Sequence, residues 1–175
     1  MEKCMGIIVG RFQVPHLGWY PGYKTLLSCV ARESDKVLIL LGESTNPNQD
    51  NPLSFGHRRD MLAEEYPEFD VAQVRDMSDD NKWVHNLDAV INNKLVSFAL
   101  HNAVVTRARL YGGMESFLTM YHQHGGRFPA TLLPTKTGVG GVNLDINRRI
   151  ESEQRSSVDM RVGLIQAWRD RKEAA

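Results

Sequence analysis

Gly10-Arg11-Phe12-Gln13 follows a short apolar run, Gly6-Ile7-Ile8-Val9. A glycine at the end of a buried strand lets a phosphate approach the backbone, and the N-terminus of a following helix turns its amides toward the anion. The stretch has no Gly-Lys-Ser/Thr and is not a Walker loop; neither is it a Gly-x-Gly-x-x-Gly turn. Three further groups have residue types suited to the same work. Gly42-Glu43-Ser44 precedes Asn51-Pro52-Leu53-Ser54-Phe55-Gly56-His57-Arg58, which by itself reads as a capped surface helix with an exposed arginine. Val74-Arg75-Asp76 is followed by Trp83, an aromatic ring able to stack on a cationic ring or simply to pack in a core. Arg155-Ser156-Ser157-Val158-Asp159-Met160-Arg161 combines hydroxyls, helix amides and a planar guanidinium fork, a set suited to phosphates. It is not a capping box, because neither Asp159 nor Met160 is Glu or Gln. The six histidines show no metal-ligand spacing, and no serine sits in a Gly-x-Ser-x-Gly elbow.

These groups need a scaffold, and the hydrophobic pattern supplies one. Gly6 to Gly10 and Lys36 to Leu41 are apolar without alternation, as strands buried on both faces are. Between them, Leu26, Leu27 and Val30 recur at helical spacing, so a helix is expected from about Tyr23 to Glu33. Strand, helix, strand in this order is a βαβ unit. Further strands are expected at Phe69–Asp76, Val104–Tyr111 and Ala130–Leu133. Helices are expected at Phe55–Tyr66 with Ser54 as N-cap, at Asn81–Asn92, at Ser116–His122 and at Val158–Arg171. The fold class is therefore α/β, a Rossmann-like doubly wound parallel sheet with helices on both faces. In such sheets ligands bind beyond the carboxyl ends of the strands, which is where the four groups fall.

The 175 residues suggest a single domain spanning 1–175, long enough to bury a core without disulfide or metal staples. Twenty-one Lys+Arg balance twenty-one Asp+Glu, which argues against a general nucleic-acid binder while leaving room for a local phosphate pocket. Cys4 and Cys29 lie in apolar stretches and read as buried free thiols. No apolar run approaches the roughly 18 residues needed to span a bilayer, and the N-terminus lacks a signal-peptide pattern. A cytoplasmic setting is the resulting expectation, with no membrane partner.

Gly10-Arg11-Phe12-Gln13 resembles the opening of the nucleotide-binding site in nucleotidyltransferases of the nicotinamide mononucleotide (NMN) adenylyltransferase kind, where a His-x-Gly-His motif follows. Two registers of that motif fit. Counting from Gly10, His16-Leu17-Gly18-Trp19 has Trp for the second His. Counting back from the helix, Tyr20-Pro21-Gly22-Tyr23 has Tyr for both. The second register is preferred, since Leu26 and Leu27 then fall on the buried helix face; it implies a short insertion. In both, the full His pair is absent. An imidazolium brings positive charge, whereas Tyr and Trp donate one hydrogen bond without it, so His16 or Lys24 would have to take that part.

The Asn51-to-Arg58 run looks like the segment after the second strand in bifunctional adenylyltransferase/Nudix members, of which only the transferase half is implied here. Asp76 and Trp83 resemble the positions that serve the nicotinamide side, and Gly112 a glycine turn beside adenine. Arg155–Arg161 resembles the Ile-Ser-x-Thr-x-x-Arg motif, with Val158 in place of Thr. The resemblance runs from about Lys3 to Trp168 in the family's order. It implies adenylyl transfer from ATP, with Mg²⁺, to NMN, giving NAD and pyrophosphate. The implied catalytic residues are His16, Tyr23, Lys24 and Arg161. Gly10, Arg11, Phe12, Gln13, Gly22, Gly112, Ser156 and Ser157 would bind the nucleotide, and Asp76, Trp83, Asn51 and Arg58 the acceptor. No resident metal site is implied, and a homo-oligomer is compatible with the reading. Two alternatives keep the fold: a nucleotide-binding sensor or partner-binding module without turnover, and a cytidylyltransferase with another phosphorylated acceptor.

Overall fold

The computed structural model describes residues 2–10, 21–43, 53–101, 105–113 and 117–133; for 21–26, 65 and 113 it describes the backbone alone. Contacts within the chain divide it after Thr135, and every described residue lies in the first unit, Met1–Thr135. The expected helix Val158–Arg171 lies outside the described residues.

The elements run β1 (Lys3–Gly10), α1 (Pro21–Glu33), β2 (Lys36–Gly42), α2 (Phe55–Glu65), β3 (Asp70–Val74), α3 (Asp80–Leu100), β4 (Val105–Gly113), α4 (Leu118–Tyr121) and β5 (Ala130–Leu133). The five strands form one sheet in the order β3-β2-β1-β4-β5. Every pairing is parallel, with Ile8 opposite Ile39, Leu40 opposite Ala72, Ile7 opposite Leu110 and Tyr111 opposite Thr131. The chain winds outward from β1 to one edge, then returns to the other side of β1 to build β4 and β5. This is the doubly wound arrangement expected from the strand pattern.

Alternation along each strand divides the core into two layers. Met5, Ile7, Leu38, Leu40, Ala108 and Leu110 meet Val84, Leu87 and Ile91 of α3 and Leu118 and Tyr121 of α4. Ile8, Val37, Ile39, Leu41 and Tyr111 meet Leu27 and Val30 of α1 and Leu62 of α2. Each fully buried Leu or Ile removes enough apolar surface to stabilise the fold by about 1.5–3 kcal/mol. Close approach of α1 to the sheet depends on Gly6, where a Cβ would collide with Ser34 Oγ and Val30 Cγ1.

The helices start where capping side chains allow. Ser54 Oγ accepts from the His57 amide at 3.3 Å, as the N-cap expectation for α2 required. Asp79 accepts from the Lys82 amide at 3.0 Å and caps α3. Several boundaries differ from the sequence expectation. α3 runs on to Leu100 rather than stopping near Asn92, because Leu95 and Phe98 continue the stripe of Ile91 into the core. β1 begins at Lys3, and β4 includes Gly112 and Gly113 instead of ending before them. Cys4 and Cys29 are free but half-buried: Cys4 lies near the start of β1, and Cys29 on the side of α1 shared with Arg32 and Glu33. Among the described residues no helix is long and apolar enough to cross a membrane.

Candidate functional site

All five strands point the same way, so their carboxyl ends share one edge of the sheet. The winding reverses between β1 and β4, and there the ladder ends at Ile8 opposite Tyr111, two residues before either strand does. Beyond that pair, β1 continues along β2 to Gly10, and β4 continues along β5 to Gly113. Two glycine-ended strands thus part at the topological switch point, where open α/β sheets hold their ligands. Gly10 terminates β1, and Gly112 is buried within β4. Neither has a Cβ to keep a ligand away from the main chain.

Gly22, Tyr23 and Lys24 lie in the first turn of α1, the helix that follows β1. α1 is the next described element in the chain after Gly10. Arg11, Phe12, Gln13, His16, Asn51, Ser156, Ser157 and Arg161 lie outside the described residues, as do the side chains of Tyr23 and Lys24.

The ends of β2 and β3 are tied together. Gly42 pairs with Val74, and the Glu43 amide donates to the Val74 carbonyl at 2.7 Å. The Glu43 carboxylate lies 3.8 Å from the Arg75 guanidinium, which is largely exposed. Asp76 follows, half-buried, on the loop into α3. Trp83 stands in the first turn of α3, half-buried, its ring edge-on to Phe117 with centroids 5.0 Å apart and planes at 82°. Phe117 in turn meets Tyr121 edge-on at 6.2 Å. Trp83 is therefore both a packing residue of the α3 layer and a partly accessible ring.

Arg58 is neither an exposed surface cation nor a side chain open to solvent: it is fully buried. Its Nη1 donates to the Gly42 carbonyl at 2.8 Å, and its Nε to the Ser54 carbonyl at 3.2 Å. Arg58 shares the inward stripe of α2 with Phe55 and Leu62, a spacing that marks it as a core-facing position in the sequence itself.

Sequence reasoning missed the buried pair beneath this edge. Asp88 sits on the core face of α3 with Val84, Leu87 and Ile91. The Tyr121 hydroxyl donates to Asp88 Oδ1, and the Arg127 amide donates to Oδ2 at 3.0 Å. The hydroxyl also accepts from the Phe128 amide at 3.1 Å. Burial, then the bond to Asp88, pushes the Tyr121 phenol well above its usual range. Nearby, His124 Nδ1 lies 2.7 Å from Asn81 Oδ1, so the turn after α4 is held at both ends of the first half of α3. The available signal was an acidic residue on an otherwise apolar helix stripe.

No protein-family model matches this chain, and no curated protein matches it by sequence. Solved structures do. A bifunctional NMN adenylyltransferase/ADP ribose pyrophosphatase from Francisella tularensis aligns over 84% of this chain and 41% of its own, with a TM-score of 0.59 and 18% identity. NadR protein in complex with NR aligns over 89% and 41%, with a TM-score of 0.56 and 16% identity. NadR protein in complex with NAD and AMP-PNP aligns over 95% and 44%, with a TM-score of 0.56 and 15% identity. This chain shares their fold. It spans about two fifths of the length of each.

Proposed function

We propose that this chain is a nucleotidyltransferase-type domain that transfers the adenylyl group of ATP to NMN, yielding NAD and pyrophosphate. The observation that carries the reading is the parting of β1 and β4 at two glycine-containing strand ends, in a fold shared with NMN adenylyltransferase and NadR structures. An NMN phosphate oxygen attacks the α-phosphorus of ATP; the bond from that phosphorus to the bridging oxygen of the β-phosphate breaks, and pyrophosphate leaves; Mg²⁺ bound with ATP would supply charge neutralisation on the phosphates. No protein nucleophile is required. The domain works by alignment and by charge placed on the phosphates.

In this reading Gly10, Phe12, Gln13, Gly22 and Gly112 accommodate the nucleotide, and Arg11 and Lys24 supply charge to its phosphates. His16 or Tyr23 acts where the related motif has histidine. Asp76, Trp83 and Asn51 serve the nicotinamide side, the half-buried Trp83 ring offering a stacking surface for a cationic pyridinium. The substitution of the His pair favours a second reading, in which nucleotides bind without turnover. The test is NAD formation from NMN, ATP and Mg²⁺ at high protein concentration, run beside calorimetric titrations of each ligand. NAD production supports transfer, and binding without it supports the sensor reading. Turnover of CTP with a different phosphorylated acceptor would move the assignment to a cytidylyltransferase. Absence of both binding and turnover refutes all three.

A further inference from the structure

We infer that Arg58 is a positioning residue that clamps the end of β2 to the start of α2, and does not itself hold the phosphate of the acceptor. Burying a charge costs several kcal/mol, and two of the three guanidinium nitrogens of the fully buried Arg58, Nε and Nη1, offset part of that cost by donating to main-chain carbonyls, while its Nη2 makes no hydrogen bond among the described residues. Here the charge is directed at backbone. Nη1 donates to the carbonyl of Gly42, the last residue of β2, and Nε to the carbonyl of Ser54, the N-cap of α2. One planar fork therefore spans the two residues at which the chain leaves the sheet and enters the helix. The geometry suits arginine, whose donors are fixed in a plane; a lysine ammonium is a point charge on a flexible stem.

The clamp reaches the ligand edge through the main chain. Gly42 pairs with Val74, and the amide of the next residue, Glu43, donates to the Val74 carbonyl, while its carboxylate forms an ion pair with Arg75. Holding the Gly42 carbonyl thus fixes the peptide that orients Glu43 and, across the pair, Arg75. Leu53, fully buried beside the cap, and the Ser54 bond to the His57 amide complete the anchor on the helix side.

Two arms test the proposal. The ligand arm rests on the adenylyl-transfer reading, while the exchange arm does not. In the ligand arm, NMN and nicotinamide riboside, which lacks the phosphate, are titrated into wild type, Arg58→Lys and Arg58→Gln. A positioning role weakens both ligands together, by about tenfold for one lost buried hydrogen bond, and leaves their affinity ratio within about twofold of wild type. A ratio that collapses toward one in Arg58→Gln and is rescued by Arg58→Lys would identify a phosphate ligand and overturn the inference. In the exchange arm, hydrogen exchange of the Glu43 amide should quicken at least about tenfold in Arg58→Lys while the Ile7 and Ile8 amides of β1 keep their protection. Unchanged Glu43 exchange, or loss of the whole fold in the lysine variant, overturns the inference as well. Wild-type protein that binds neither probe refutes the functional reading alone, and the exchange arm still decides the clamp.

Discussion

Tyr121→Phe removes one oxygen and leaves two buried polar groups without their partner. Asp88 Oδ1 loses its donor, and the Phe128 amide loses its acceptor, while the Arg127 amide still serves Oδ2. A hydrogen bond to a charged group contributes about 1.5–3 kcal/mol, and an orphaned buried amide costs about 1–3 kcal/mol. Tyr121 is fully buried and Asp88 only 5% exposed, so water reaches the gap only if the turn after α4 opens. Allowing for that relaxation, the expected loss is about 3 kcal/mol. In a protein of this size it lowers the melting temperature by about 6–12 °C. Urea unfolding followed by circular dichroism, with a double-mutant cycle against Asp88→Ala, measures it. A loss under about 1 kcal/mol, or a cycle showing no coupling, would refute the view that this pair fastens α4 and its turn onto α3.

Further expectations follow from the same geometry. Because the phenol of Tyr121 is held above its unfolded value, the unfolded chain releases that proton first as pH rises. The stabilisation is therefore complete below about pH 10 and is lost on going higher; urea curves from pH 8 to 11 should show a fall that is shallower in Tyr121→Phe. Gly6→Ala forces a Cβ into Ser34 and Val30 and should cost about 1–3 kcal/mol in the same assay, with near-wild-type stability as the contrary result. Asp79→Ala removes the cap of α3 and should cost about 1 kcal/mol, read as a lower urea midpoint at constant slope. Trp83→Leu should raise the KM for NMN at least about tenfold with little change for ATP; equal changes for both would assign the ring to packing alone.

The strands β1 and β2 were legible because burial on both faces writes itself as unbroken apolar runs: all of β2 from Val37 to Gly42 is buried, and Met5 to Ile8 are buried in β1. The caps at Ser54 was legible for a local reason, a side chain three residues from the amide it serves. What escaped were features that depend on partners far along the chain. The helix expected over Asn81–Asn92 runs on to Leu100, because packing of Leu95 and Phe98 against the core outweighs the modest helix propensity of Asn92 and Asn93. The spacing of Arg58 to Phe55 and Leu62 does put it on the inward stripe of α2; what the sequence does not show is its partner, the Gly42 carbonyl 16 residues away. Asp88 and Tyr121 are 33 residues apart, and only the folded layers bring them together. Of the candidate positions, Gly10 falls at the strand end its pattern gives it, whereas Gly112 lies inside β4 and Asp76 beyond the end of β3. The relation of Trp83 to Phe117, and of Glu43 to Arg75, was not legible, since each joins residues on separate elements.

The central position of β1 has a consequence for how the chain is made. Its partner on one side, β2, follows after a single helix, but its partner on the other side is β4, so that Lys3 waits for Val105. During synthesis β1, β2 and β3 can assemble with α1 and α2 while the second edge of β1 still has its amides and carbonyls unmatched. That edge, rich in apolar side chains, is a template for any foreign strand until the other half of the sheet emerges. Slowing translation before residue 105 should therefore favour aggregation, and an early supply of the second half should suppress it.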